Sequence, residues 1–278
     1  MEPTPPTQPS TPLSEGEVET SIEVPESGDA FWEEGDVRNE FRRRSRRAFL
    51  TFGVSAAAAL GGWKWLTDRK PNGGVQWPLR RALNVDDRLA RTVSRPSARV
   101  ATLSASEAQT LRVNGLDGMV KSVDRATWKI TVMHKSDKMT ELTMADIDGL
   151  KQHTQTVLHK CIEGWSVPVT WSGPRVSDLL SVIQQRSGVK PSNWVGLATP
   201  TAGYYVSLDW DATQHPQALF ATKLNNRALS LEHGSPVRLA LPTHYGVKSL
   251  KQVGIIAFTD KEPPDYWGER GYDRNMAF

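Results

Sequence analysis

From residue 111 to residue 278 the sequence interleaves short β-branched runs with short helical segments, and this alternation is its strongest constraint on the fold. "TWKITVMH" alternates apolar and polar residues and reads as a half-buried strand. In "LTMADIDGL", Thr143 is placed to cap a short helix that stops at Gly149. "TQTVLHKCIE" reads as a further strand, with Cys161 at its end. "SDLLSVIQQRSG" sets Val176, Leu179, Leu180 and Ile183 on one helical face before Gly188. "WVGLAT", "YYVSLDW", "VRLALP" and "VGIIAFT" read as strands, and "QALFATKL" as a short helix. The expected fold class is therefore α+β, with mixed β-sheets and short helices. Neither G-x-G-x-x-G nor a P-loop occurs, so dinucleotide and NTP chemistry lack their usual phosphate cradles.

The first 110 residues differ in character. Residues 1–41 carry eleven acids, one base (Arg38) and six prolines. With few large apolar side chains, such a stretch buries too little surface to offset chain entropy and is expected to be a disordered tail. Residues 42–66 combine a basic cluster with a small apolar run, and residues 67–110, punctuated by Pro71, Gly73, Gly74 and Pro78, read as a linker or arm. Of the formal net charge of +3, residues 71–278 carry +6. That suits an anionic ligand but is far too weak to indicate nucleic acid.

"SRRAFLTFG" places Arg46 and Arg47 before an aromatic residue, a leucine and a weakly hydrophobic run rich in Ala and Gly. This is the arrangement of a twin-arginine export signal, the route that carries folded proteins out of the cytoplasm. Export by this machinery to the periplasm is the expectation. The run from Ala48 to Leu66, as a helix, covers about 28 Å, close to one hydrocarbon thickness. It is thus long enough to remain as an N-terminal membrane anchor, with Trp63 and Trp65 at the far interface.

A single cysteine, Cys161, excludes an internal disulfide and any metal site built from several thiolates. It is either a small buried apolar residue or a reactive or ligating thiol. Its context is "CIEGWSVPVTWSGPRVSDLL". This segment resembles the ligand-bearing stretch of the sulfite oxidase-like molybdopterin oxidoreductases, including the bacterial methionine sulfoxide reductase branch. The resemblance continues through "GYYVSLDWDATQHPQALFATKLNNRALSLEHGSPVRLALPTHYGVKSLKQVGIIAFTD" to "YWGERGYD", covering roughly residues 111–274.

What the resemblance implies is specific. The fold would be the sulfite oxidase type, the cofactor Mo-molybdopterin, and Cys161 the thiolate ligand to molybdenum, a soft donor suited to a soft metal centre. His233 and Arg238 of "HGSPVR" would contact the pterin, and Ser249, Leu250 and Lys251 of "GVKSLK" would hold its phosphate end. Thr199 would reach the cofactor. Tyr204, in "YYVS", and Glu163, two residues after Cys161, would face the metal as catalytic groups. "LRVNGLDG" is the nearest equivalent of the upstream cofactor loop, which makes Arg112 and Asn114 candidates. The implied activity is oxygen-atom transfer on a small sulfur compound, an S- or N-oxide, or oxidized methionine. No C-x-x-C-H haem attachment occurs, so electrons would pass through a separate haem or cytochrome carrier. The chain ends soon after the tail motif, without the immunoglobulin-like dimer domain of sulfite oxidases, and a monomeric catalytic unit is expected. The alternative is a relative that keeps the fold as a non-catalytic binding or assembly module.

Overall fold

A computed structural model describes residues 34–93, 98–134, 139–188 and 192–278. The disorder expected for most of residues 1–41 lies outside the described residues. The chain divides into two units, which meet in sequence between Trp63 and Lys64.

The described part of the first unit is helical. One helix runs Glu34–Thr67, so residues 34–41, expected in the tail, instead form its first turns. A Glu40–Arg44 pair one turn apart, 2.9 Å, supports this start. Among the described residues, no helix is long and apolar enough to cross a membrane. The stretch from Ala48 to Leu66 thus falls short of the anchor expected there, because Thr51, Ser55, three glycines and Lys64 dilute its apolar content.

In the second unit, the expected linker is a built element. A two-stranded hairpin, Pro71–Asn72 with Val75–Gln76, leads into the helix Trp77–Val93. Arg80 is buried at 2% exposure and donates to the carbonyls of Asn72, Gly73, Gly268 and Tyr272. A guanidinium has five donors and no acceptor, so it can clamp several carbonyls at once. Here it fastens the helix to the C-terminal tail. Residues 98–110 follow as an extended arm, whose Leu103 and Gln109 amides donate to Thr156 and Pro168.

Two sheets build the body. The first is antiparallel, in the order Arg227–Ala228, Lys223–Leu224, Ser166–Gly173, His153–Lys160. The second has five strands, in the order Met139–Thr143, Lys129–Met133, Ile255–Thr259, Trp194–Ala198, Tyr205–Asp209. It is mixed: Ile255–Thr259 runs parallel to Lys129–Met133 and antiparallel to Trp194–Ala198. A short pair, Leu219–Ala221 with Arg238–Ala240, lies between the two cores. Phe220 and Leu239 belong to the larger core, Leu219, Ala221 and Ala240 to the smaller, as strand alternation requires. The α+β class with mixed sheets is what the sequence led us to expect.

Thr143 caps the helix Met144–Asp148 in a capping box with Asp146, and Gly149 ends it. Val176–Ser187 buries the four residues read from its periodicity and ends at Gly188 in the left-handed region. "QALFATKL" is not a helix. It forms the strands Leu219–Ala221 and Lys223–Leu224. Ala218 through Ala221 are fully buried between both cores, and burial on two faces overrides the helical propensity of Ala and Leu.

A buried ion pair ties this body to the tail. Lys248 Nζ meets Asp265 Oδ2 at 2.6 Å, both side chains being 2% exposed. Lys248 also donates to the Ser207 carbonyl, while Asp265 accepts from the Ser207 and Gly268 amides. Removing one partner strands the other charge in the interior. Lys248→Met is predicted to lower the unfolding free energy by about 3–5 kcal/mol in urea titration, with Asp265→Asn added on top recovering part of the loss. A loss within experimental error would show that this pair is solvated.

Candidate active site

The turn that carries Cys161 is set by local geometry. Strands His153–Lys160 and Ser166–Gly173 pair up to Lys160 and Ser166, leaving residues 161–165 to close the hairpin. The Cys161 amide donates to the Trp165 carbonyl at 2.9 Å, and the Gly164 amide to the Cys161 carbonyl at 3.1 Å. Gly164 sits at φ 87°, a conformation other residues adopt only at a cost. The turn presents Cys161, 7% exposed, at a cavity of about 250 Å³. Leu111, Met119, Ile162, Trp165, Trp267 and Tyr272 give this cavity its apolar walls.

The carboxamide of Asn114 reaches two groups on this turn. Its Nδ2 lies 3.7 Å from Cys161 Sγ and 3.2 Å from Glu163 Oε1. Trp165 Nε1 donates to the other oxygen of Glu163 at 2.9 Å. These two bonds, the indole's first, hold the Glu163 carboxyl below its usual range, so it stays charged beside the thiol. Arg112 lies 6.0 Å from the Trp165 ring, at the same turn.

Two cations, Arg238 and Lys251, converge on the same cavity. Arg238, 2% exposed, donates to the carbonyls of His233 and Ser249 and lies 4.7 Å from the Trp171 ring. Burial alone pulls its pKa down to about 10. Lys251 donates to the carbonyls of Asn114 and Gly115 at 2.5 and 2.9 Å. Burial first, and then Arg238, pull it down to about 8. Among the described residues neither cation forms an ion pair. Carbonyl dipoles satisfy their donors, and Glu232 only partly offsets the charge on Lys251, an environment suited to an anion. Nearby, His233 Nδ1 is buried with no hydrogen-bond partner among the described residues.

Nearly all residues expected at a site therefore line this one cavity: Arg112, Asn114, Cys161, Glu163, Thr199, Tyr204, His233, Arg238, Ser249 and Lys251. Leu250 is the exception. Its side chain is in the larger core, its amide donates to Lys248 and its carbonyl accepts from Leu239, so nothing of it faces the cavity. Thr199 and Ser249 line the cavity but also have structural duties. The Thr199 hydroxyl bonds the Tyr204 backbone, closing the turn between its two strands, and Ser249 Oγ accepts from the Leu241 amide. The Tyr204 phenol donates to the Val247 carbonyl at 2.5 Å, and burial raises its pKa. It braces the turn at 246–248 in this structure.

Sequence reading missed His159 and Trp171. His159 lies near the end of the strand His153–Lys160, just before the turn that carries Cys161, and lines the same cavity. Its ring lies 6.2 Å from Trp165 and 6.1 Å from Trp171, and burial holds its pKa down at about 3. Trp171 was readable only as core. Its service to Arg238 depends on a contact between distant segments.

Among the described residues, no group of three His, Cys, Asp or Glu side chains is placed to hold a metal. A metal at Cys161 would need further donors from a group that carries it. One thiol, the buried Arg238, the half-buried Lys251 and an unpartnered imidazole nitrogen suit an anionic cofactor bearing its own ligands.

The cavity thus brings one thiol and two cations together within an α+β fold. Residues 117–267 match the oxidoreductase molybdopterin-binding domain family, and the chain belongs to that family. Its cofactor is thus Mo-molybdopterin. The chain is 29% identical over 157 residues to a putative protein-methionine-sulfoxide reductase subunit, YedZ1, of Azospira oryzae, covering 56% of this chain and 58% of that protein. It is 28% identical over 159 residues to the protein-methionine-sulfoxide reductase catalytic subunit MsrP of Xanthomonas campestris pv. campestris, covering 53% and 49%. The MsrP of Campylobacter jejuni is 29% identical over 162 residues, covering 54% of each chain. The matched region spans about half the length of these relatives. Among solved structures, the sulfane dehydrogenase SoxCD of Paracoccus pantotrophus aligns with a TM-score of 0.45 at 20% identity, covering 51% of this chain and 40% of that one.

The depressed pKa of Lys251 gives a pH test. Its folded pKa lies below the ordinary lysine value, so the unfolded chain holds this proton more tightly. In the ligand-free protein this term makes stability rise with pH above about 8. Over the same window the positive charge that an anion needs is lost. Retention of the anionic cofactor after gel filtration, followed by pterin fluorescence, is predicted to fall as pH rises through about 8, and Lys251→Arg to flatten that profile. The same decline in both proteins would remove Lys251 from the anion site.

Proposed function

We propose that this protein is an exported molybdopterin-dependent oxidoreductase that reduces an S-oxide, of the methionine sulfoxide type, using electrons from a separate haem-bearing carrier. The observation that carries this reading is the convergence of Cys161, Arg238 and Lys251 on one cavity. When bound, the molybdenum cofactor supplies two-electron chemistry coupled to transfer of an oxygen atom. The net reaction takes the sulfoxide, two electrons and two protons to the thioether and water.

The chain's own residues have separable roles. Cys161 gives a thiolate to the metal. Arg238 and Lys251 hold the anionic end of the cofactor, and His233 offers its unpartnered Nδ1. Tyr204 holds the turn at 246–248 through Val247 and so fixes the loop leading to Lys251. Asn114 contacts both the thiol and Glu163, orienting the turn.

The surroundings of Cys161 favour a neutral sulfur substrate over a sulfur oxyanion. The Glu163 carboxylate, kept ionised by Trp165 and Asn114, sets a negative charge next to the thiol's turn, where a neutral sulfur substrate meets no repulsion. Apolar and aromatic walls from Ile162, Trp267 and Tyr272 suit a thioether side chain. The relatives named as methionine-sulfoxide reductases support the same substrate class.

Two variants test this reading. Cys161→Ser replaces a soft donor by a hard one, and sulfoxide turnover is predicted to vanish while circular dichroism stays that of the wild type. Full turnover in the molybdenum-loaded variant would contradict the ligand role. Arg46→Lys combined with Arg47→Lys keeps charge but loses the paired guanidinium groups. Folded, cofactor-bearing protein is then predicted to stay in the cytoplasm, and unchanged export would contradict the signal.

A further inference from the structure

The helix Trp77–Val93 meets the catalytic body through a charge and shows its apolar side chains to the outside. Arg80 is buried and donates to the carbonyls of Gly268 and Tyr272, so a guanidinium holds the inner side. Leu79, Val85 and Leu89 are 42%, 50% and 60% exposed. A surface helix ordinarily does the reverse, burying its apolar stripe and giving its charges to water.

The outward side chains form a row. Trp77, Arg81, Val85 and Leu89 follow one another at intervals of four and so share one ridge of the helix. The Arg81 guanidinium lies 5.6 Å from the Trp77 ring. Beyond Trp77 the row continues onto the end of the preceding helix. Half-exposed Trp65 meets Trp77 edge to face at 6.3 Å, and the Arg69 guanidinium lies 4.5 Å over Trp65. The result is a strip of two indoles, each carrying a guanidinium, that runs into exposed aliphatic side chains. Residues 64–93 carry seven bases against three acids, and one of those acids, Asp68, is paired with Lys64.

The make-up of this strip selects its partner. A second copy docked on it by two-fold symmetry would bring Arg69 and Arg81 towards their own counterparts, with no acid in the strip to separate them. A bilayer surface meets each component. Indoles sit at headgroup level, aliphatic side chains reach the acyl boundary, and guanidinium groups pair with lipid phosphates.

We propose that the helix Trp77–Val93, together with Trp65 and Arg69, lies on an anionic lipid surface and holds the catalytic body there through Arg80. This is attachment in the plane of the interface, distinct from a spanning anchor at Ala48–Leu66. Arg80 also bonds the carbonyl of Tyr272, a cavity-wall residue, so the attachment fixes how the cavity is turned towards the bilayer. The inference does not depend on the cofactor reading.

The test is flotation of the purified full chain with vesicles of phosphatidylcholine and phosphatidylglycerol, and with vesicles of phosphatidylcholine alone. Phe49, Leu50 and Phe52 of the first helix are also exposed, so each comparison is repeated in a Leu50→Glu/Phe52→Glu background. Val85→Glu with Leu89→Glu sets two carboxylates in the row at positions already open to water, and is expected to lower the membrane-bound fraction about tenfold in both backgrounds. Arg81→Gln with Arg88→Gln is expected to remove the preference for the anionic vesicles. Circular dichroism of every variant should stay that of the wild type. A wild type that does not float, or a Glu pair that floats as the wild type does, would overturn the proposal. So would a wild-type dimer in sedimentation that the Glu pair splits without changing flotation, since a second copy would then cover the row. Should the Glu pair fail to fold, Val85→Gln with Leu89→Gln decides by the same readings.

Discussion

Arg238 is buried with its charge uncompensated, and much of the architecture converges on that fact. Its donors must be met where water does not reach, and the chain offers carbonyls at Leu239, His233 and Ser249. A further surface, the indole of Trp171, comes from the antiparallel sheet. The guanidinium therefore holds together the strand Arg238–Ala240, the loop that follows His233, the turn at Ser249 and the first sheet. Among the described residues no carboxylate pairs with it, so an anion entering the cavity would offset the desolvation cost. Lys251 adds to the same demand, held on the carbonyls of Asn114 and Gly115.

The thiol and the cations reach one cavity because separate devices fix their supporting segments. Gly164 and the hydrogen bonds of its turn place Cys161. The Tyr204 phenol and the buried Lys248–Asp265 pair fix the turn from which Ser249 and Lys251 project. Arg80 then locks the helix Trp77–Val93 to the C-terminal tail that supplies Trp267 and Tyr272 to the cavity wall. A stretch whose prolines and glycines suggested a linker thus stabilises the tail at the rim of the site.

Much of this was legible in the sequence because the signals were local. The capping box at Thr143, the stop at Gly188 and the alternation of "TWKITVMH" each act within a few residues, and each element forms where it was expected. "QALFATKL" was misread because its conformation is set by burial between two cores, which no local pattern reports. The apolar content of the Ala48–Leu66 stretch was overrated because its length drew more weight than its glycines and Lys64. At the site, Cys161, Arg238 and Lys251 were found through ordered motifs. Leu250 was expected to contribute through the backbone of the same turn; its side chain turns into the core and its amide and carbonyl are bonded to Lys248 and Leu239. His159, Trp171 and the Lys248–Asp265 pair depend on contacts across many residues, which no local pattern reports.

The central claim is that the buried Arg238, the half-buried Lys251 and one thiol together hold an anionic molybdenum cofactor. Its most direct test is quantitation of molybdenum and pterin in the purified protein beside an Arg238→Ala variant of unchanged circular dichroism. Truncating a charge-assisted partner costs about 1.5–3 kcal/mol, roughly 10- to 150-fold in affinity. The account predicts equimolar molybdenum and pterin in the wild type, and loss of both together in the variant. A wild-type protein without pterin, or a variant that keeps its full complement of both, would contradict it.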